Sequence, residues 1–312
     1  MAIAPRTFPA PEIEPLVEAP LEEFSRERHL AWKKFARHRL ALTSTAVLFA
    51  IILIAIFAPL LSHWDPNSID SNWAGSPLAP GQFGHRLGTD DVGRDLLTRL
   101  MFGARISISL AVTVVVIEVI IGTILGAIAG YYGGWTDFLL MRVTDVFLSI
   151  PLLPLLLVLT GIVAASSTKA ALNFDSIVII IALLSWPAVA RLVRGAFLSL
   201  REKEFAEAAR AIGGTDPRII VRHLLPNSVA PIVVQATLDV ANVIILESVL
   251  SFLGFGIQPP MASWGSMLAN AQDTIAIAWW DAVYPGLCIF VTVLAINFMG
   301  DGLRDALDPN VK

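Results

Sequence analysis

Charge is scarce in this chain of 312 residues. Asp, Glu, Lys and Arg together make up 15% of it, against 55% hydrophobic residues and a mean hydropathy of +0.70. Soluble domains carry roughly 25% charged residues, so a water-surrounded globular fold is excluded. Cysteine is nearly absent. The lone Cys288 cannot close an internal disulfide and so says nothing of redox compartment. It falls in an apolar stretch and reads as a buried, inert thiol. There is no basic excess: 22 Lys and Arg stand against 26 Asp and Glu, a net charge of −4, which gives no footing for a nucleic-acid partner. The phosphate-cradling pattern Gly-x-x-x-x-Gly-Lys-Ser/Thr is missing, so the chain is not itself an ATP motor. His-Glu-x-x-His, Cys-x-x-Cys and Gly-x-Ser-x-Gly are missing too, which removes the common metallohydrolase, thiol-redox and serine-hydrolase chemistries. The N-terminus lacks the basic start and immediate apolar run of a signal peptide. Residues 7–23 instead mix prolines with Glu12, Glu14, Glu18, Glu22 and Glu23, the composition of a flexible tail.

What is present is a set of long apolar runs. About 20 apolar residues cross a hydrocarbon core of roughly 30 Å, and six segments meet that length: 41–62, 106–131, 139–164, 177–197, 229–252 and 282–302. The spacing predicts an all-α integral membrane protein with about six transmembrane helices. The segments between them read as a tail at 1–40, an outer loop at 63–104, a core at 105–304 and a short tail at 305–312. Lysine and arginine fix the orientation, because cytoplasmic segments retain them. Arg26, Arg28, Lys33, Lys34, Arg37 and Arg39 precede the first span. Arg201, Lys203, Arg210, Arg218 and Arg222 lie between the fourth and fifth. Only Lys169 separates the third from the fourth, and residues 257–281 carry none. Both termini and the 199–227 loop are therefore cytoplasmic. Residues 26–40 interleave Leu30, Trp32, Phe35 and Leu40 with the basic residues, the pattern of an amphipathic helix on the inner lipid surface.

Polar groups within the spans are costly and face protein or water. Glu118, Asp239 and Glu247 are accordingly candidates for lining or gating a path; interhelical hydrogen bonds are the plainer alternative. Gly122, Gly126 and Gly130 recur every fourth residue and form a small-residue ridge for close helix contact. Pro151, Pro154 and Pro187 favour bends. Asp90, Asp91 and Asp95 beside Arg94 read as helix capping and local ion pairs rather than a cation site.

The 199–227 loop reads SLREKEFAEAARAIGGTDPRIIVRHLLPN. Phe205, Ala208, Ala209 and Ile212 fall at helical spacing as one apolar face, with Glu204, Glu207 and Arg210 on the other. Gly213 is placed to end that helix. Asp216 and Pro217 read as N-cap and first residue of a second helix, which Pro226 would stop. The expectation is a helix–turn–helix knob projecting into the cytoplasm.

Glu207-Ala208-Ala209, the glycine at 213 and the later Leu225-Pro226 resemble the EAA loop of ABC importer permeases; His223 stands where that family usually has isoleucine. Residues 85–110 (HRLGTDDVGRDLLTRLMFGARISISL), 247–264 (ESVLSFLGFGIQPPMASW) and the closing DGLRDALDP resemble the dipeptide, oligopeptide and nickel group, in its second or C-type member. The resemblance covers roughly residues 30–312. It implies a type I ABC importer permease fold. It also implies a coupling surface formed by Glu204, Glu207, Ala208, Ala209, Ile212, Gly213, Pro217, Leu225 and Pro226. The implied partners are a homologous permease making a heterodimer, two ABC ATPase subunits that bind the ATP and magnesium, an extracytoplasmic substrate-binding protein, and membrane lipid. No cofactor is implied in the chain itself. His85, Gln258 and Trp264 are further candidates for contact with the binding protein. Di- or oligopeptides are the implied substrates, with nickel, sugars, opines or glutathione-like compounds as alternatives. A secondary transporter working alone, and a membrane scaffold with no pathway, are the remaining alternatives.

Overall fold

The computed structural model describes residues 33–36, 38–70, 72–166 and 173–307. Residues 26–32 of the expected amphipathic segment, Lys169, and the tails at 1–32 and 308–312 lie outside the described residues.

Every regular element among the described residues is a helix. Helix α1 is Arg39–Leu61, α2 Leu96–Tyr132, α3 Gly134–Ser149, α4 Leu152–Ser166 and α5 Phe174–Leu200. Short helices α6, Glu204–Ala211, and α7, Asp216–Ile219, follow. Then come α8, Leu225–Phe252, α9, Trp264–Asn270, and α10, Trp279–Leu307. Five helical stretches are long and apolar enough to cross a membrane, with α3 and α4 as a bent pair at 86°. Many of the large apolar side chains on these helices stay exposed, including Phe49, Ile56, Ile120, Ile124, Leu287 and Phe290. Such side chains suit a hydrocarbon surround.

The third span, expected as a single helix over 139–164, is two helices. Ile150 stands before Pro151 and is extended (φ −91°, ψ 129°), because the proline ring disfavours the helical conformation in the residue preceding it. Pro187, by contrast, sits inside the unbroken α5. The bent pair is nonetheless one crossing. A Cβ on Gly122 would meet Val189, one on Gly126 would meet Ala190 and Val193, and one on Gly130 would meet Phe197 and Arg194. Rising numbers match rising numbers, so α2 and α5 run parallel. The chain between them must return across the membrane, and among the described residues α3 with α4 is the only segment available. This gives six crossings and puts the ends of α2 and α5 on the same, cytoplasmic, side.

The outer loop, expected at 63–104, closes earlier, and the second span is longer than 106–131. Asp95 caps α2 by accepting from the Thr98 backbone N–H at 2.8 Å, which starts the helix at Leu96. Arg99, in the first turn of α2, is buried; it donates to Pro66 O at 3.0 Å and faces Asp90 at 3.4 Å. Asp90 also pairs with Arg94 at 2.6 Å. The aspartates thus cap and pair as their spacing indicated. On the outer side, Trp264 of α9 donates its indole N–H to Leu100 O at 3.0 Å. It packs with Leu96, Met267 and Trp280 in an apolar cluster that binds the two outer loops to α2.

Candidate functional site: the cytoplasmic knob

Between α5 and α8 the chain makes a compact projection. Helix α6 opens with Glu204 and Glu207 in its first turn, where carboxylates favour the positive end of the helix dipole. It closes in a Schellman motif: Gly214 N–H donates to Ala209 O at 2.9 Å and Gly213 N–H to Arg210 O at 3.0 Å. Gly213 has φ +84°, a conformation that a side chain would strain.

The second half departs from expectation in two ways. Thr215, not Asp216, occupies the N-cap, without a side-chain bond. The Asp216 carboxylate instead accepts from the Tyr131 hydroxyl at 2.7 Å, joining the knob to the end of α2. Nor does Pro226 stop a helix. Residues Ile220–Leu224 form a π-helical turn, with Leu225 N–H donating to Ile220 O, and Pro226 falls in the first turn of α8. The wider turn accommodates the proline ring and its missing N–H, so helical structure continues from Asp216 to Phe252. Pro217 lies in the first turn of α7.

The knob's apolar residues also divide differently. Ala206 and Ala209 of α6 are buried, and Ala209 packs with Ile219 and Leu224 on Ala127, Val189, Val193, Phe197 and Ile232. Phe205 and Ala208 are exposed, and Ile212 is 87% exposed. The expected single face of Phe205, Ala208, Ala209 and Ile212 is therefore split. Ala209 anchors the knob, while the other three form an outward ridge beside the exposed Glu204 and Glu207. Leu225 is half-buried, packed against the inner cluster. Ala206 carries no charge and completes no motif; only its burial marks it as part of the anchor.

Arg201 fixes the seat. Its guanidinium donates to Gly130 O at 3.1 Å and Tyr131 O at 3.2 Å, satisfying carbonyls that the end of α2 leaves open. Arg210 of α6 donates in turn to Arg201 O at 2.6 Å. The knob is thus tied to α2 through Tyr131–Asp216 and through Arg210–Arg201, in addition to its covalent links to α5 and α8.

The three intramembrane carboxylates separate into two places. Glu118 on α2 is buried and faces Ser185 of α5 and Asp239 of α8. Asp239, half-buried, accepts from Gln235 at 2.9 Å on its own helix. Glu247, 1% exposed, accepts from Ser251 at 2.6 Å and Ser263 at 2.7 Å, joining α8 to the start of α9. Of the three outer-loop candidates, His85 is buried against Asp95 at 2.8 Å and stacked on Trp64. Trp264 is buried, and Gln258 donates to Gly254 O and Gly256 O. His85 and Trp264 therefore hold the outer loops together from within, and neither lies on a docking surface.

The fold is that of an ABC transporter permease. It superposes on an inward-facing form of the MetNI methionine ABC transporter with a TM-score of 0.55, at 18% identity, covering 68% of this chain and 98% of that one. A second inward-facing form of the same transporter gives a TM-score of 0.52, covering 66% and 94%. Residues 122–312 match the family described as binding-protein-dependent transport system inner membrane component. Residues 28–80 match the N-terminal transmembrane domain of oligopeptide transport permease C. The chain belongs to this family of permease subunits of ABC importers and is an integral inner-membrane protein. Among its relatives, the dipeptide transport system permease protein DppC of Alkalihalophilus pseudofirmus is 42% identical over 285 residues, 90% of each chain. The glutathione transport system permease protein GsiD of Escherichia coli is 42% identical over 288 residues, 91% of each chain.

Proposed function

We propose that this subunit imports small peptides, using ATP hydrolysed by other chains and transmitted through the knob. A related permease pairs with it to enclose the path. Two ATPase subunits, holding the ATP and magnesium, dock on the cytoplasmic side, one of them on Glu204, Phe205, Glu207, Ala208 and Ile212. A soluble extracytoplasmic protein delivers the substrate. Di- and oligopeptides are the preferred substrate class, because dipeptide and glutathione permeases are equally similar to this chain and both solutes are short peptides. Glu118 and Asp239 remain the paired polar groups available near the path, whereas Glu247 serves as an interior tie.

One observation carries the coupling reading: an apolar ridge with an acidic edge faces the cytoplasm, while the opposite side of the same short helix is sealed against the subunit. Exposed Ile212 has no partner within the described chain, and a side chain of that size gains about 2 kcal/mol when covered. Motion received on the ridge has a rigid route inward, because α6 is held to α2, α5 and α8 together.

The test is co-purification from mild detergent. The tagged wild-type chain is expected to bring down a second permease and ATPase subunits. A chain carrying Ile212→Asp and Ala208→Arg is expected to reach the membrane in equal amount and retain the second permease but lose the ATPases. Retention of the ATPases by that variant would remove the assignment. Uptake of labelled dipeptide and of glutathione by the reconstituted complex then orders the substrates.

A further inference from the structure

The seam between α3 and α5 is built from charge. Arg194 of α5 makes a two-pronged pair with Asp137 of α3, one prong at 2.6 Å. Arg191, one turn earlier, donates to Asp145 at 2.5 Å. Arg142 stands 4.0 Å from Asp145, its guanidinium 5.1 Å above the Phe138 ring centroid. Gly134, Asp137, Phe138, Met141, Arg142, Asp145 and Arg194 line a cleft of about 280 Å³. The side chains of Arg142, Arg191 and Asp145 are 66%, 51% and 46% exposed.

Two features show where this charge points. The first is depth. α5 has 27 residues, about 40 Å of helix, against a hydrocarbon core of roughly 30 Å. Arg191 lies nine residues before Leu200, about 14 Å inward. Even with all of the roughly 10 Å excess on the cytoplasmic side, it falls within the hydrocarbon thickness. Exposed charges at that depth do not face lipid. The second is the other side of α3. Leu139, Val143 and Val146 form an exposed apolar stripe at helical spacing, about 100–160° around the helix from Asp145. Helix α3 thus has a face suited to lipid and a face suited to water.

We propose that the α3–α5 groove bearing Arg142, Asp145 and Arg191 lines the water-filled path of the assembled transporter and binds the charged ends of a zwitterionic, peptide-like solute. Arg142 and Arg191 offer guanidinium donors to its carboxylate, and Asp145 accepts from its ammonium group. The choice of solute class rests on the proposed peptide reading; the path-lining position does not. Glu247, sealed within the subunit, takes no part.

The experiment uses the full complex in inside-out vesicles, with Cys288→Ala removing the chain's single cysteine. Asp145→Cys and Val143→Cys, on opposite faces of α3 and similarly exposed, are compared for reaction with a membrane-impermeant quaternary-ammonium methanethiosulfonate. Asp145→Cys is expected to react at least tenfold faster than Val143→Cys, and an added dipeptide is expected to slow it. Equal rates at the two positions, whether both fast or both slow, would overturn the path assignment. A fast Asp145→Cys reaction that no peptide slows would overturn the binding half alone. Transport by Arg142→Glu gives a second readout. Uptake of an acidic dipeptide is expected to fall, relative to a basic one, by about fivefold, the effect of one close charge in a wet site. Equal loss for both peptides would show a structural role and refute the contact. Absence of ATPase subunits from the purified complex would count against the coupling knob and leave the labelling comparison standing.

Discussion

Helix α5 carries two seams of opposite character. Toward α2 it presents Val189, Ala190, Val193 and Phe197, which receive Gly122, Gly126 and Gly130 so closely that no Cβ fits. Toward α3 it presents Arg191 and Arg194, which meet Asp145 and Asp137 across a cleft. Only Thr144 of α3 is buried. The first seam is made by shape and has one way to fit. The second is made by long, flexible charged side chains that can exchange a partner helix for water or solute. Under the proposed path assignment, a rocking of rigid parts would divide the labour between the two seams: α2, α5 and the knob as the body that moves as one, and α3 at the border of the space that changes.

The largest test of that contrast is Gly126→Leu. A Cβ there would stand 2.4 Å from Ala190 O, a backbone atom that cannot swing aside. Overpacking costs about 1–3 kcal/mol and more where backbone must shift, so little folded protein is expected by size-exclusion chromatography in detergent. Next is Arg201→Gln, which removes the charged donor to Gly130 O and Tyr131 O. A loss of about 2 kcal/mol is expected, read as a lower melting midpoint, together with weaker coupling of ATP hydrolysis to transport. Smaller again is the ionic seam. A double-mutant cycle of Asp137→Asn and Arg194→Gln should give a coupling of about 1 kcal/mol or less, with transport changed more than stability. The smallest is Tyr131→Phe, which deletes an exposed bond to Asp216; about 0.5–1 kcal/mol is expected, with membrane insertion unaffected. If the ionic seam proved costlier than the glycine seam, the contrast would be reversed.

Much of this architecture was legible in the sequence because the bilayer imposes simple rules. Apolar length located the spans, and Arg201, Lys203, Arg210, Arg218 and Arg222 located the cytoplasmic loop. Gly213 was legible as a helix end because its left-handed conformation is a local requirement. The rest depended on tertiary context. Whether a proline breaks a helix is not a local property: Pro151 ends α3, Pro187 lies within α5, and Pro226 is absorbed by a π-helical turn. The face of α6 was misjudged because Ala206 and Ala208 are chemically identical, and only the docking of α6 on the rest of the subunit decides which is buried. Asp137 and Arg194 are 57 residues apart, and no pattern along the chain connects them.

The central claim is that the ridge of α6 receives the work of an ATPase bound from the cytoplasm. The most direct measurement is peptide uptake into proteoliposomes holding the complete complex, wild type against Ile212→Asp with Ala208→Arg, matched for inserted protein. The account predicts a loss of uptake of at least tenfold, with an unchanged melting midpoint for the permease. Uptake equal to wild type would contradict it.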